Sequence, residues 1–348
     1  MAIEPATEFA FETAGFADAA EREGTTAVGP YRLALRRLRR NKVALAFGAL
    51  FLVLVTISLA APLWANHVAH TDPDTNNLTG TLKEGAKSKY VVAPDGVPIG
   101  PQWFAAGGKY FLGADQNGRD VMVRLLYAGR NSLLIGVSAA VITVLLAAIA
   151  GIWAGYAGGW SDTVISRSMD LLWAYPVVLL GVALGTALAL GGLQIGPISI
   201  SGDSKLIPIL IIAVVYVPYV ARPLRGQVLA IREKEFVDAA RAQGAGPVRI
   251  MFSEILPNLS STIIVFLPLA VANAIILEAA LSFLGAGVRP PDTSWGEMIS
   301  EGTERIATAP HLTIVPGLML VLTVLALNVF GEGVRDALDP RAKVRLER

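Results

Sequence analysis

The chain has no cysteine and, among 348 residues, only three histidines, His67, His70 and His311. The first absence excludes a disulfide framework, a thiolate nucleophile and any Cys-ligated metal; the scattered imidazoles have no zinc-ligand spacing. No GxxxxGK[ST] stretch occurs, so the chain has no phosphate-cradling loop and is not expected to hydrolyse ATP by itself. The paired glycines of "GAGPVR" and "GAGVRP" lack the rest of a dinucleotide fingerprint and read as turns. Charge is scarce too: 16% of residues, where a soluble globule carries about 25%. With 29 basic and 28 acidic residues nearly cancelling, nothing points to nucleic acid. Hydrophobic residues make up 53%, which places the chain in the membrane class, with lipid as its first partner.

A bilayer core about 30 Å thick needs roughly 20 apolar residues of helix, because each backbone polar group must be satisfied within the segment. Six stretches meet or approach that length: 43–63, 132–156, 164–190, 206–224, 259–284 and 312–330. The expected fold is therefore an all-α membrane protein with six transmembrane helices. Pro176, Pro208, Pro218, Pro268 and Pro316 are expected to kink them. A cleaved signal peptide is the rival reading of the first stretch, yet signal cores run about 7–15 residues and this one is longer, behind a 42-residue leader.

Lys and Arg in short flanking loops resist translocation. Arg32, Arg36, Arg37, Arg39, Arg40 and Lys42 precede the first span, Arg222, Arg225, Arg232, Lys234, Arg241 and Arg249 follow the fourth, and Arg335, Arg341, Lys343, Arg345 and Arg348 follow the sixth. Both termini are thus expected on the cytoplasmic side of an inner membrane. The expected organisation is a disordered acidic tail over 1–30, an N-terminal helix and first span over 31–65, an extracytoplasmic insert over 66–130, a transmembrane core over 131–334 with a cytoplasmic loop at 229–258, and a tail over 335–348. Within the insert, "TDPDTNNLTGTLKEGAKSKYVVAPDGVPIGPQWFAAGGKY" is rich in turn formers and predicts a short strand or two, such as "KYVVA". Asn77-Leu78-Thr79 fits a glycosylation sequon, a weak signal by itself.

The charged segment "EFVDAARAQGAGPVRIMFSEILPN", between two apolar spans, divides into two short helices. The first is built from good helix formers and stops at Gly244, where a left-handed cap is cheap. The second opens on Pro247, sets Val248, Met251, Phe252 and Ile255 along one apolar stripe, and is expected to end at Pro257. Glu235 and Asp238 disfavour a loop lying on anionic headgroups, and Ala239 and Ala240 present a small-sided surface to which another protein can approach closely.

This segment resembles the EAA loop of membrane subunits of ATP-binding-cassette importers, with Asp238, Ala239 and Ala240 at the acidic-Ala-Ala positions, Gly244 at the glycine, and Leu256 and Pro257 at its end. "FLGADQNGRDVMVRLLYAGRNSL", "GYAGGWSDTVISRSMDLLWAYP", "AIILEAALSFLGAGVRPPDTSWGEMI" and "LNVFGEGVRDALDPR" follow in family order. Together they resemble the permease subunits of dipeptide and oligopeptide importers, the DppC or OppC type. Asp238 stands in place of the usual Glu, Glu254 where relatives often carry His, and the insert is longer than usual.

The resemblance implies the type I importer permease fold and a set of partners: a second homologous permease subunit, two ATPase subunits that bind ATP and Mg, and an extracytoplasmic substrate-binding protein. No cofactor is expected in this chain. It implies ATPase coupling through Glu235, Asp238, Ala239, Ala240, Gly244 and Pro257. Glu278 and Asn273, polar residues deep in the fifth span, are candidates for the translocation pathway, against an equal expectation that Glu278 fixes helix packing. Asp115, Arg119 and Asp120, with Gly118, are candidates for outer docking or a gate, against a turn followed by a capped helix. Arg167 and Asp170 are expected to form a local ion pair. The same machinery could import a nickel complex or a glycoside. A secondary transporter would need inverted repeats that are absent, and an intramembrane enzyme a partner for Glu278.

Overall fold

The computed structural model describes residues 30–84, 87–105 and 107–339. The expected tails therefore lie largely outside the described residues, Arg341, Lys343, Arg345 and Arg348 included. Among the described residues, five helices are long and apolar enough to cross a membrane, and a bent pair makes up to six.

Helix α1 (Pro30–Arg40) meets α2 (Lys42–Leu59) at Asn41, whose side chain accepts from the Ala44 amide at 3.0 Å and so caps the first span. A short α3 (Ala61–Trp64) runs into a π turn (Ala65–Ala69) that stops at His70, φ 49°. The insert contains a hairpin of β1 (Thr81–Glu84) and antiparallel β2 (Lys87–Tyr90), so the predicted strand exists but lies two residues earlier. Val91, Ile99, Tyr110 and Ala114 form a small buried core beneath it.

Helix α4 (Val121–Ala157) is the central post. At about 1.5 Å per residue it is roughly 55 Å long, well beyond the bilayer core. It starts eleven residues before the stretch at 132 that composition marked, because the Asp120 cap begins the helix and it runs through Arg124 and exposed Arg130 before it turns apolar. It packs along α7 (Leu206–Ile231) and α10 (Leu256–Phe283). Small residues make these contacts close: a Cβ on Gly151 would lie 2.9 Å from the Ala221 carbonyl oxygen, and one on Gly155 2.7 Å from the Val228 Cβ. Gly151 and Gly155 thus act as the small-xxx-small pair through which membrane helices approach.

The expected kink at Pro176 is present as a sharp break, and the expectation for Pro257 is corrected. The stretch 164–190 is not one straight span: α5 (Gly159–Trp173) and α6 (Val177–Gly191) meet at 89°. Pro176 offers no amide to the helix and pushes Tyr175 out of the α region, while Asp162, Arg167 and Asp170 keep α5 polar. A β3–β4 hairpin (Leu193–Ile195, Ile198–Ile200) follows. Likewise Pro257 does not end the second helix of the charged loop. Beyond α8 (Glu235–Ala242), α9 (Pro247–Ile250) passes through a π turn (Met251–Ile255) into α10 as one 37-residue helical run. In the π turn the Leu256 amide reaches back to the Met251 carbonyl, so Pro257 enters α10 in its first turn, where no amide is needed. Helix α11 (Trp295–Thr303) and the last span α12 (His311–Leu338) complete the fold, α12 packing on α10, α11, α2 and α1.

Candidate functional site

At one end of the molecule α8 follows α7 and meets α9, with Val237 in the apolar cluster there and Arg241 against the end of α4. Val237, the one fully buried residue of α8, belongs to an apolar cluster with Val228, Ile250, Met251 and Ile255. Arg241 ion-pairs with Asp238 at 2.9 Å and stands over the Tyr156 ring, 5.7 Å from its centroid, at the end of α4. Gly244 has φ 81°, and its amide bonds the Arg241 carbonyl at 2.9 Å while the Ala245 amide bonds that of Ala240 at 3.0 Å. These two bonds define a Schellman cap. No described atom lies within 4 Å of where a Gly244 Cβ would stand.

The outer side of this loop is uncovered. Glu235, Asp238 and Ala239 are exposed and Ala240 is half-buried. The predicted apolar stripe splits: Met251 and Ile255 are buried, whereas Val248 and Phe252 are 59% and 65% exposed, near Phe236 at 40%. Sequence periodicity could not tell the two edges apart, because the π turn rotates the helix between them. Pro257, also exposed, sits at the foot of α10. Beside the loop an open cleft of about 500 Å³ separates α7, α10 and α12, lined by Tyr219, Gln227, Thr262, Phe266 and Arg335 among others. Thr262 donates to the Gln227 side-chain oxygen across it at 2.8 Å. These polar residues carry no motif and escape a reading of the sequence.

Glu278 and Asn273 lie elsewhere. Glu278 has no accessible surface; Ser282 donates to its Oε1 at 2.7 Å, and the hydroxyls of Ser132 and Ser294 adjoin it. It therefore stands where α4, α10 and the start of α11 meet. Asn273 is half-buried, and neither residue lines the cleft. Glu278→Gln keeps the shape and an acceptor for Ser282, so unchanged thermal stability and unchanged uptake are expected. Glu278→Leu removes the acceptor of the buried Ser282 hydroxyl, a loss of about 1–3 kcal/mol, and should lower the melting temperature in detergent. Loss of uptake in Glu278→Gln at unaltered melting temperature would instead mark ionisation at this depth as functional.

At the other end, Asp115, Arg119 and Asp120 belong to the base of the insert. Asp120 caps α4, its Oδ1 accepting from Met122 and Val123 at 2.9 and 3.1 Å and its Oδ2 from the Tyr110 amide at 2.5 Å. Burial raises its carboxyl above the ordinary range, opposed by those amides. Gly118, at φ 73°, leaves no room for a Cβ, which would stand 2.4 Å from the Asn77 carbonyl oxygen. Asp115 pairs with Arg119 and with Arg124, each at 2.6 Å, and Glu301 of α11 pairs with the same two arginines at 3.1 and 2.6 Å. Arg124 and Glu301, 177 positions apart, are the members a sequence reading misses. Burial also raises the Glu297 carboxyl, opposed by Thr293 and Arg124 and reinforced by Glu301. The expected pair Arg167–Asp170 is present at 3.5 Å and exposed, with Arg222 joining Asp170 at 2.9 Å.

A bundle of apolar spans with a short helical hairpin at one end and an ion-locked insert at the other defines a polytopic helical membrane protein. Residues 147–344 match the family described as binding-protein-dependent transport system inner membrane component, and residues 29–81 match the N-terminal TM domain of oligopeptide transport permease C. The dipeptide transport system permease protein DppC of Alkalihalophilus pseudofirmus is 36% identical over 319 residues, 91% of this chain and 92% of its own length. The glutathione transport system permease protein GsiD of Pectobacterium atrosepticum is 33% identical, covering 90% of this chain and 92% of its own length. The di/tripeptide transport system permease protein DppC of Pseudomonas aeruginosa is 35% identical, with 87% and 89% covered. The chain belongs to the binding-protein-dependent transport system inner membrane components, and within them to the DppC/OppC type.

Proposed function

We propose that this chain forms half of the translocation pathway of an importer for dipeptides and short oligopeptides, and that α8 is the element through which ATPase subunits drive it. The observation that carries this reading is the build of α8. Its inner side is anchored by buried Val237 and its C-terminus by the Gly244 cap, while Phe236 and Ala239 of its outer side are exposed, as are Val248 of α9 and Phe252 of the π turn. A short capped helix held by a buried side chain in the apolar cluster at the ends of the spans can transmit a rotation, and the uncovered apolar surface beside it is what a docked partner would bury. On this reading the α8 end is cytoplasmic, as the basic residues around it favour. The cleft between α7, α10 and α12 then opens to the cytoplasm, the insert faces the binding protein, and a second homologous permease supplies the other wall. Peptide cargo is supported by the relatives named for dipeptide, di/tripeptide and glutathione transport.

The absence of cysteine makes the test direct. A single cysteine at Ala239→Cys, in cells carrying the whole transport system, should cross-link to an ATPase subunit, and mild-detergent purification should bring down two ATPase subunits and a second permease. A transport-active single chain with no such adduct would sink the assignment.

A further inference from the structure

Helix α1 has a face that nothing in the described chain covers. Ala34 is buried, and Leu33, Arg37 and Leu38 are half-buried on the side that meets α12. At 100° per residue Arg32, Arg36, Arg39 and Arg40 fall on the opposite side, all exposed and with no ion pair to a described carboxylate. Between the two sides Tyr31 and Leu35 stand 51% exposed. Around its axis, then, α1 presents a packed side, an apolar edge and a basic side.

Three further facts indicate what covers it. Arg32, Arg36 and Arg40 repeat at i, i+4 and i+8, a spacing at which like charges destabilise a helix, and its first turn holds no acid. An anionic counterpart would remove that penalty. One residue, Asn41, separates α1 from the first spanning helix, whose opening turns expose Val43 and Leu45 by 60% and 41%. That places α1 where the chain enters the bilayer. Finally, α1 is fastened to both sides of the cleft described above: Arg37 donates to the Asp339 carbonyl at 2.8 Å, and the Tyr31 hydroxyl bonds that of Ser260 beside Ser261 and Thr262. Asp339, Ser261 and Thr262 all line the cleft.

We propose that α1 is a strap that binds the phosphate headgroups of anionic phospholipids through Arg32, Arg36, Arg39 and Arg40, with Tyr31 and Leu35 set into the acyl boundary, and that through its two fastenings it steadies the mouth of the α7–α10–α12 cleft. The charge pattern favours lipid over a docked protein because a basic side next to an apolar edge is the arrangement of an interfacial helix. The functional consequence rests on that cleft being the cytoplasmic mouth of the pathway; the lipid contact does not.

The test uses the full chain in nanodiscs, with a fluorophore on a cysteine at Leu35→Cys and, as a control at the far end, at Leu190→Cys, a residue 92% exposed. Each interfacial arginine changes association with anionic lipid about fivefold. Spin-labelled phosphatidylglycerol should therefore quench position 35 several times more than spin-labelled phosphatidylcholine, with no such preference at 190. Changing the four arginines to glutamine should remove the preference, and changing them to lysine should retain it, which excludes misfolding as the cause. Equal quenching by both lipids, or a preference that survives the glutamine variant, overturns the proposal. So does silence with either lipid, which would mean that protein covers α1. Neither transport nor sidedness enters this readout, because both leaflets carry the same lipid, so its failure and a failure of the import assignment are separable.

Discussion

Gly244→Leu is expected to insert and express normally but to lower peptide uptake and substrate-stimulated ATP hydrolysis by about tenfold or more. Two effects add. A left-handed backbone costs an L-residue about 1–2 kcal/mol, which by itself cuts the correctly capped population roughly 5- to 30-fold. The Schellman bonds from Gly244 to Arg241 and from Ala245 to Ala240 are what end α8, an eight-residue helix too short to hold itself without its cap and its packing. The second effect is space. Within this chain a Cβ at 244 meets nothing, so the side chain would project where the motor is proposed to sit. Gly244→Asn separates the two, since asparagine tolerates the left-handed conformation. Full recovery by Asn would assign the loss to the cap alone and no recovery would assign it to the docked partner; with both effects present, partial recovery is expected. Wild-type uptake in Gly244→Leu would refute the coupling role of the loop.

The second large effect is at the opposite end. Arg124 is nearly inaccessible, its side chain 3% exposed, and holds Asp115 and Glu301 at 2.6 Å each. Breaking a buried ion cluster by removing one partner costs about 3–5 kcal/mol, and here two carboxylates would be left to share Arg119. Arg124→Met should therefore lower the melting temperature in detergent by several degrees and expose the base of the insert to limited proteolysis. Adding Glu301→Gln should recover much of the loss, since Asp115 keeps Arg119 at 2.6 Å and no orphaned charge remains. A single variant that melts like the wild type would show that α11 and the insert are held by something other than these ions.

How far the architecture can be read from residues alone depends on the range of the interaction. Hydropathy located the spans to within a few residues at most ends, because the cost of leaving backbone groups unpaired in lipid is a property of each segment by itself. It misjudged the start of α4, where charge looked like a boundary. The helix runs on past the apolar stretch, through exposed Arg130, to the Asp120 cap, and there Arg124 meets a carboxylate 177 positions away. The third stretch shows the same limit. Pro176 announced a kink, but whether the chain bends by 20° or by the observed 89° depends on what α5 and α6 pack against. At Pro257 the local rule failed for another reason: the π turn ahead of it removes the need for the amide that proline lacks.

The chain by itself determined that it enters membranes, where six apolar stretches fall, that α8 ends at Gly244 in a left-handed cap, and that Asp120 begins α4, all consequences of short-range preferences acting within a few residues. Tertiary structure alone decided that Val237 faces inward while Phe236, Val248 and Phe252 face out, that Glu278 is enclosed by three serines, and that Arg124 and Glu301 meet. Those outcomes depend on how whole helices pack, and burial and pairing across more than a hundred residues are properties of that packing rather than of any single segment.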